Sequence, residues 1–211
     1  MILRLDQISN LAIVGMSVVV PGGGGNDEFD RLVYRGLPVS GQFDETLTLE
    51  AAAVQSVRQV CGEARLKIGQ VPVVSLSPSI VRILQDNGIG CRVQEASGVS
   101  SAMAMASDWF ESGGEEVALL IEAQDEPQAV CALLVAEYKS ALDNSKSIYA
   151  RVTGAAETAS PSSAAAISGV LQEAQRASGV RPESIGLIEV ATLTGAGMQI
   201  QEVAGRLAAF G

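Results

Sequence analysis

Ser97 stands at the tip of the stretch Cys91-Arg92-Val93-Gln94-Glu95-Ala96-Ser97-Gly98-Val99-Ser100-Ser101-Ala102-Met103. A short apolar strand runs into small residues and then into a helical pattern. A turn of this kind holds a side chain at a helix N-terminus. Unpaired N–H groups and the positive end of the helix dipole there favour a nucleophile or an anion. A serine hydroxyl needs an adjacent base to attack. The chain contains no histidine, which removes the commonest base at neutral pH and the usual partner of a catalytic Ser or Cys. Glu95 is near in sequence, but strand alternation brings it to the same side only if the turn distorts. The favoured reading is that Ser97 caps the helix that follows, a role serine fills well.

The positioning elements are read from periodicity. Leu11–Met16 is a buried strand ended by Gly15, and Pro21 with Gly22–Gly25 forms a loop without phosphate-loop spacing. Asn26 or Asp27 caps a short helix through Phe29, Leu32 and Val33. Thr46 or Thr48 starts a helix carrying Leu49, Ala52, Ala53, Val57 and Val60 on one face. Gln70–Leu76 reads as a strand, and Ser77-Pro78 opens a helix that Asn87-Gly88 ends. After the Gly90–Val93 strand and the Ser97 turn, a helix is expected over Gly98–Phe110. The runs Val117–Glu122 and Ala129–Glu137 suit adjacent antiparallel strands. Ser147–Gly154 is strand-like, Ser162–Ser178 helical, Leu187–Val190 a strand and Met198–Phe210 a last helix. Strands alternating with helices predict a layered α/β fold with a mixed, mostly parallel sheet.

With 211 residues, 47% of them hydrophobic but only 4% aromatic, the core must be built from Val, Leu, Ile and Ala. The net charge of −10 argues against nucleic acid and anionic membranes as partners. No apolar run reaches a membrane-spanning length, and Met1–Asp6 carries no signal-peptide core, so the expected setting is cytoplasmic. Cys61, Cys91 and Cys131 are far apart in apolar patterns, a reduced usage with no metal spacing. No metal and no cofactor are expected.

Four blocks, in order, resemble the β-ketoacyl synthase domain of polyketide and polyunsaturated fatty acid synthases. Leu11-Ala12-Ile13-Val14-Gly15-Met16 followed by Pro21-Gly22-Gly23 is similar to the family's opening I-A-I-V-G-M…P-G-G. Val93-Gln94-Glu95-Ala96-Ser97-Gly98-Val99-Ser100 falls where the family has V-D-T-A-C-S-S-S, its nucleophile elbow. Ile148–Gly154 resembles the strand I-Y-A-V-I-R-G, and Val180–Val190 resembles V-x-P-x-x-I-x-x-V-E-A, with Ala204–Gly211 matching the helix beyond.

The resemblance implies a thiolase-like fold over one degenerate domain, 1–211. Residues 1–140 would form a complete first half and 141–211 a truncated second half. It places Ser97 where the family has its nucleophilic Cys and Ala191 where it has its first His. Thr192-Leu193-Thr194-Gly195 stands for G-T-G-T, and the later Lys and second His would lie beyond residue 211. A dimer-side insertion of the family is reduced here to Val81–Gly90. Within that family the pattern resembles the shortened ketosynthase-like region at the N-terminus of the acyltransferase-bearing subunit of bacterial polyunsaturated fatty acid synthases.

On that resemblance no catalytic residue is expected, and the isolated chain is expected not to be an enzyme. It would be a structural or docking module. The implied partners are other domains or subunits of the synthase, acyl carrier protein and a second copy in a homodimer. The alternative is a residual serine-dependent acyl-transfer enzyme using Ser97. Ser100 and Ser101 are then acyl or phosphopantetheine contacts, or simply small residues for close packing. Glu189 reads as a strand-end carboxylate rather than a base. Cys91 reads as a buried structural thiol rather than one activated by Arg92. Glu115-Glu116 and Asp125-Glu126 read as solvated faces, and Met103, Met105 and Trp109 as core or subunit contact.

Overall fold

A ten-residue strand, β1 (Leu11–Val20), organises the sheet because its apolar side chains are buried on both faces. The computed structural model describes residues 10–21, 23–24, 47–125, 128–156 and 164–185. Two compact units emerge, one formed by Asn10–Arg151 and one by Met1–Ser9 with Val152–Gly211.

In the first unit β1 pairs antiparallel with β6 (Gln128–Glu137), from Leu11 opposite Glu137 to Val19 opposite Val130. The register slips between Ile13 and Gly15. Gly15 lies under a helix here: an added Cβ would meet Val60 Cγ2 at 3.0 Å and Leu134 Cβ at 3.3 Å. β6 pairs antiparallel with β5 (Ala118–Asp125), as the two apolar runs predict. β3 (Val73–Ser75) lies parallel to β5, and β4 (Val93–Glu95) parallel to β3. Part of the glycine run read as loop is a two-residue strand, β2 (Gly23–Gly24), opposite Val19 and Val20. The order is β2-β1-β6-β5-β3-β4, and β7 (Ala150–Val152) also pairs with β1.

The sheet is mixed, but not mostly parallel. The pairs β1–β2, β1–β6 and β5–β6 are antiparallel, whereas β3–β4 and β3–β5 are parallel. The long strands β5 and β6 are separated by two residues, a connection that only an antiparallel pair can use. Parallel pairing arises where helices provide the crossovers.

Helix α1 (Leu49–Glu63) buries Ala52, Ala53, Val57, Val60 and Cys61 against β1 and β6. Its N-cap is Thr48, whose hydroxyl accepts from the Ala51 N–H at 3.2 Å. Thr48→Ala should therefore cost about 1 kcal/mol in urea unfolding while Thr48→Ser costs little; an unchanged midpoint for the alanine variant would show the cap contributes nothing.

Helix α2 (Pro78–Asp86) adds Ile80 and Leu84 to the same core, where Val73, Leu119 and Ile121 meet it from the sheet. Strand alternation turns Leu120 to the opposite face. There α3 (Val99–Glu111) lies against β3, β5 and β6 and buries Ala102, Met103, Ala106 and Trp109. A short α4 (Tyr138–Asp143) follows β6.

In the second unit α5 (Ala164–Ser178) is followed by a 3-10 turn at Pro182–Ser184. Gly154 sits against the end of α5, where a Cβ would fall 2.7 Å from the Ala174 carbonyl oxygen. The expected helix through Phe29–Val33, the strand Leu187–Val190, the last helix Met198–Phe210, and Glu189 and Ala191 lie outside the described residues. Among the described residues no helix is long and apolar enough to cross a membrane.

Candidate functional site

The three parallel strands β5, β3 and β4 end on one side of the sheet, and the chain leaves β4 there. The Ala96 N–H donates to the Ser75 carbonyl at 2.9 Å, a last rung before Ser97. Ala96 is buried and Ser97 is exposed. Helix α3 then begins at Val99 with Gly98 as its N-cap, in extended backbone.

Ser97 is not the cap it is expected to be. It sits one residue too early, and its hydroxyl instead lies 3.2 Å from the Ser101 hydroxyl. Ser101 does the capping: its oxygen accepts from the Gly98 N–H at 3.2 Å and its hydrogen goes to the Gly98 carbonyl at 2.9 Å. Either hydroxyl can donate in that pair, and in both arrangements the partner of Ser97 is a neutral hydroxyl, which is a poor base. When Ser101 donates, the exposed Ser97 keeps its proton for a ligand acceptor. Such a hydroxyl can hydrogen-bond a ligand carbonyl or anion at the helix N-terminus. Nothing in it raises its nucleophilicity. The spacing of four between Ser97 and Ser101 is the helical-neighbour signal that could have found this pair.

A second serine pair holds the strand ends. Ser77 is the N-cap residue of α2, as expected, but its hydroxyl does not cap. It donates to the Ala123 carbonyl at 2.7 Å and accepts from the Ala123 N–H at 2.8 Å. Ser75 Oγ donates to the Ser77 carbonyl at 2.9 Å and accepts from the Ser77 N–H at 3.2 Å. Ser75 is thus fixed from below while its carbonyl holds Ala96. Ser77 and Ala123 lie 46 residues apart, so no local pattern announces this bridge.

At the other end of β4, Arg92 stacks over the Trp109 ring at 4.0 Å and reaches Glu115 at 3.6 Å. Glu115 is therefore paired rather than simply solvated. Met103 and Trp109 are core, and Ser100 is buried against the sheet, the close-packing role expected of a small residue.

Cys91 is exposed, not the buried thiol expected of a strand position, because β4 begins only at Val93. Burial pushes the Cys61 thiol from an ordinary 9.0 up to about 11. Cys131 rises equally, to about 11, through burial and the nearby Glu122 carboxylate. Both are protonated at neutral pH and neither is a nucleophile. A raised folded-state value means full stability below the unfolded value and loss as pH rises through the folded one. The urea midpoint should thus fall between pH 9.0 and about 11, and less steeply in a Cys61→Ala, Cys131→Ala chain. Equal slopes in the two proteins would remove the thiols from the account. Among the described residues no group of three or more His, Cys, Asp or Glu is placed to hold a metal.

The mixed sheet, the helices on its two faces and the strand–turn–helix at Ser97 define a thiolase-like ketosynthase fold. Solved ketosynthases share it. A ketosynthase domain of oxazolomycin synthesis from Streptomyces albus matches with a TM-score of 0.73 at 18% identity, over 96% of this chain and 70% of that one. A β-ketoacyl synthase from Burkholderia phymatum matches with a TM-score of 0.69 at 13% identity, over 96% and 78%. A type II polyketide ketosynthase, solved with its acyl-carrier protein, gives 0.73 at 14%, over 96% and 78%. No protein-family model and no curated protein matches the sequence.

These neighbours overturn one expectation. The isolated chain is expected from its lost family residues not to be an enzyme, yet the structures that share its fold are catalytic ketosynthases. Of the two positions on which that expectation leaned, Ser97 is exposed at the turn and Ala191 is not among the described residues.

Proposed function

We propose that the chain is a ketosynthase-like module of a polyketide or polyunsaturated fatty acid synthase, handling acyl groups brought to the Ser97 turn by an acyl carrier protein. The observation that carries this reading is the match of 96% of the chain to ketosynthase structures with TM-scores up to 0.73. The exposed hydroxyl at the N-terminus of α3 supports it, since a thioester carbonyl is an acceptor that such a hydroxyl and the helix end would orient. The Ser97–Ser101 pair does not favour a serine nucleophile.

The test is titration of the purified chain with a carrier protein in its apo and acylated forms, followed by a condensation assay with a malonyl thioester. Tighter binding of the acylated form, lost in Ser97→Trp, is the expected result. Equal binding of both forms, or none, with no condensation, would remove the acyl-handling role.

The finer placement belongs to the same proposal: the N-terminal region of the acyltransferase-bearing subunit of a polyunsaturated fatty acid synthase, working in the cytoplasm. Its support is the order of the four motif blocks between Leu11 and Val190. A gene context without a G-H-S-x-G acyltransferase block would count against it. The division into halves at 1–140 and 141–211 and a homodimer are parts of that placement, and light scattering tests the second.

A further inference from the structure

A separate cavity of about 200 Å³ lies within the first unit, between the end of α1, the irregularity in β1 and the chain leading to β7. It exists for local reasons. Arg65 takes a left-handed conformation (φ 56) and turns the chain off α1, with the Leu66 N–H returning to the Cys61 carbonyl at 2.8 Å. Ser145 (φ 53) makes a similar turn after α4, and the Tyr149 N–H pins the far wall to the Ile13 carbonyl at 2.9 Å.

Aliphatic residues line it on one side: Val14, Val60, Leu66 and Leu134, with Gly15 between them. The remaining lining includes one carboxylate, one ammonium and one phenol, those of Glu63, Lys146 and Tyr149. Glu63 is the last residue of α1, at the negative end of the helix dipole, where a cation is favoured. Its Oε1 accepts from Gln59 Nε2 at 3.1 Å, leaving its other oxygen for a ligand donor. Lys146 is only 23% exposed, yet its pairing with Glu116 is long, at 3.9 Å, and Glu116 is 76% exposed. A pair so solvated is weak and gives way to a better-placed anion.

Opposite charges beside an aliphatic pocket fit a small zwitterion with an aliphatic side chain. We propose that this cavity binds a free aliphatic α-amino acid. Its ammonium meets Glu63, its carboxylate meets Lys146, and its side chain lies on Leu66 and the edge of Val14, with the fully buried Val60 and Leu134 behind them. The cavity is the share of roughly seven waters at ~30 Å³ each, enough for a ligand of leucine's size. This assignment does not depend on the acyl-handling role of the Ser97 turn.

Calorimetric titration of the full chain with leucine tests it, beside isocaproate, which lacks the amino group, and isoamylamine, which lacks the carboxylate. Leucine should bind saturably, and each half-molecule about tenfold or more weaker. Glu63→Gln and Lys146→Met, both at the rim, should each weaken leucine about tenfold while leaving the urea midpoint nearly unchanged. No saturable heat with leucine would overturn the proposal. Isocaproate binding as tightly as leucine would overturn the zwitterion, and leucine binding unaltered in both variants would overturn the site.

Discussion

Replacing Gly90 with valine is expected to cost about 3 kcal/mol or more of folding stability, a large share of a typical domain's total. Two penalties coincide there. Gly90 has φ +81, a conformation that side-chain-bearing residues adopt only with strain. Its missing Cβ would also stand 2.8 Å from Val73 Cγ2, 3.1 Å from the Val71 carbonyl oxygen and 3.2 Å from the Arg92 carbonyl oxygen. Two of those contacts are backbone and cannot swing away. Gly88 supplies the control, because it also has positive φ, +63, but open space around its would-be Cβ. Gly88→Ala should cost only about 1 kcal/mol, the strain alone. Equal losses for Gly88→Ala and Gly90→Ala in urea unfolding would show that crowding at Gly90 contributes nothing. The damage at Gly90 should also reach the site. Its N–H bonds the Ile68 carbonyl at 3.1 Å, and the next bonds along, Cys91 N–H to Val71 and Val73 N–H to Arg92, start the β4 pairing that presents Ser97.

The sequence made the faces of the elements legible, and much less of their pairing. Period-two and period-three-to-four patterns located the β5–β6 hairpin, α1, α2 and α3 close to their observed bounds, and β1 only as far as Met16, short of its end at Val20. The same patterns say nothing about which strand lies beside which, so the antiparallel placing of β6 between β1 and β5 was not visible in them. Small polar residues were the harder class. Ser97, Ser77 and Thr48 all precede helices and all suit a cap, yet only Thr48 caps through its hydroxyl. What separates them is tertiary: Ser77 has the Ala123 backbone within reach, and Ser101 reaches the Gly98 N–H first. Cys91 misled for a related reason, since a strand start two residues later leaves it exposed. The Ser97 turn itself was found at its correct place between β4 and α3, while its hydrogen-bond partner was not.

Trp109→Ala is expected to cost about 3 to 5 kcal/mol, more than an ordinary surface change by several-fold. Trp109 is 7% exposed near the end of α3, so alanine removes a large buried ring and leaves a cavity. It also removes the platform on which the Arg92 guanidinium lies at 4.0 Å. Arg92 has a second partner, Glu115 at 3.6 Å, but its Nε is buried without a hydrogen-bond acceptor. That orphaned donor makes the stack the main contact holding the inner part of the guanidinium. A cycle of Trp109→Ala, Arg92→Met and the double variant separates the two contributions. The coupling should be about 1 kcal/mol, with the rest of the tryptophan loss remaining in the Arg92→Met background. Trp109→Phe should recover most of the packing and part of the stack. If Trp109→Ala shifts the urea midpoint by no more than Arg92→Met does, the ring is not a core element. In that case α3 is held by its smaller buried residues, Ala102, Met103, Ala104 and Ala106 among them. The expected outcome instead makes Trp109 the point where α3 grips the chain entering β4: the Arg92 carbonyl accepts from the Val73 N–H at 2.9 Å, three residues before the strand ends at Glu95 and the Ser97 turn begins.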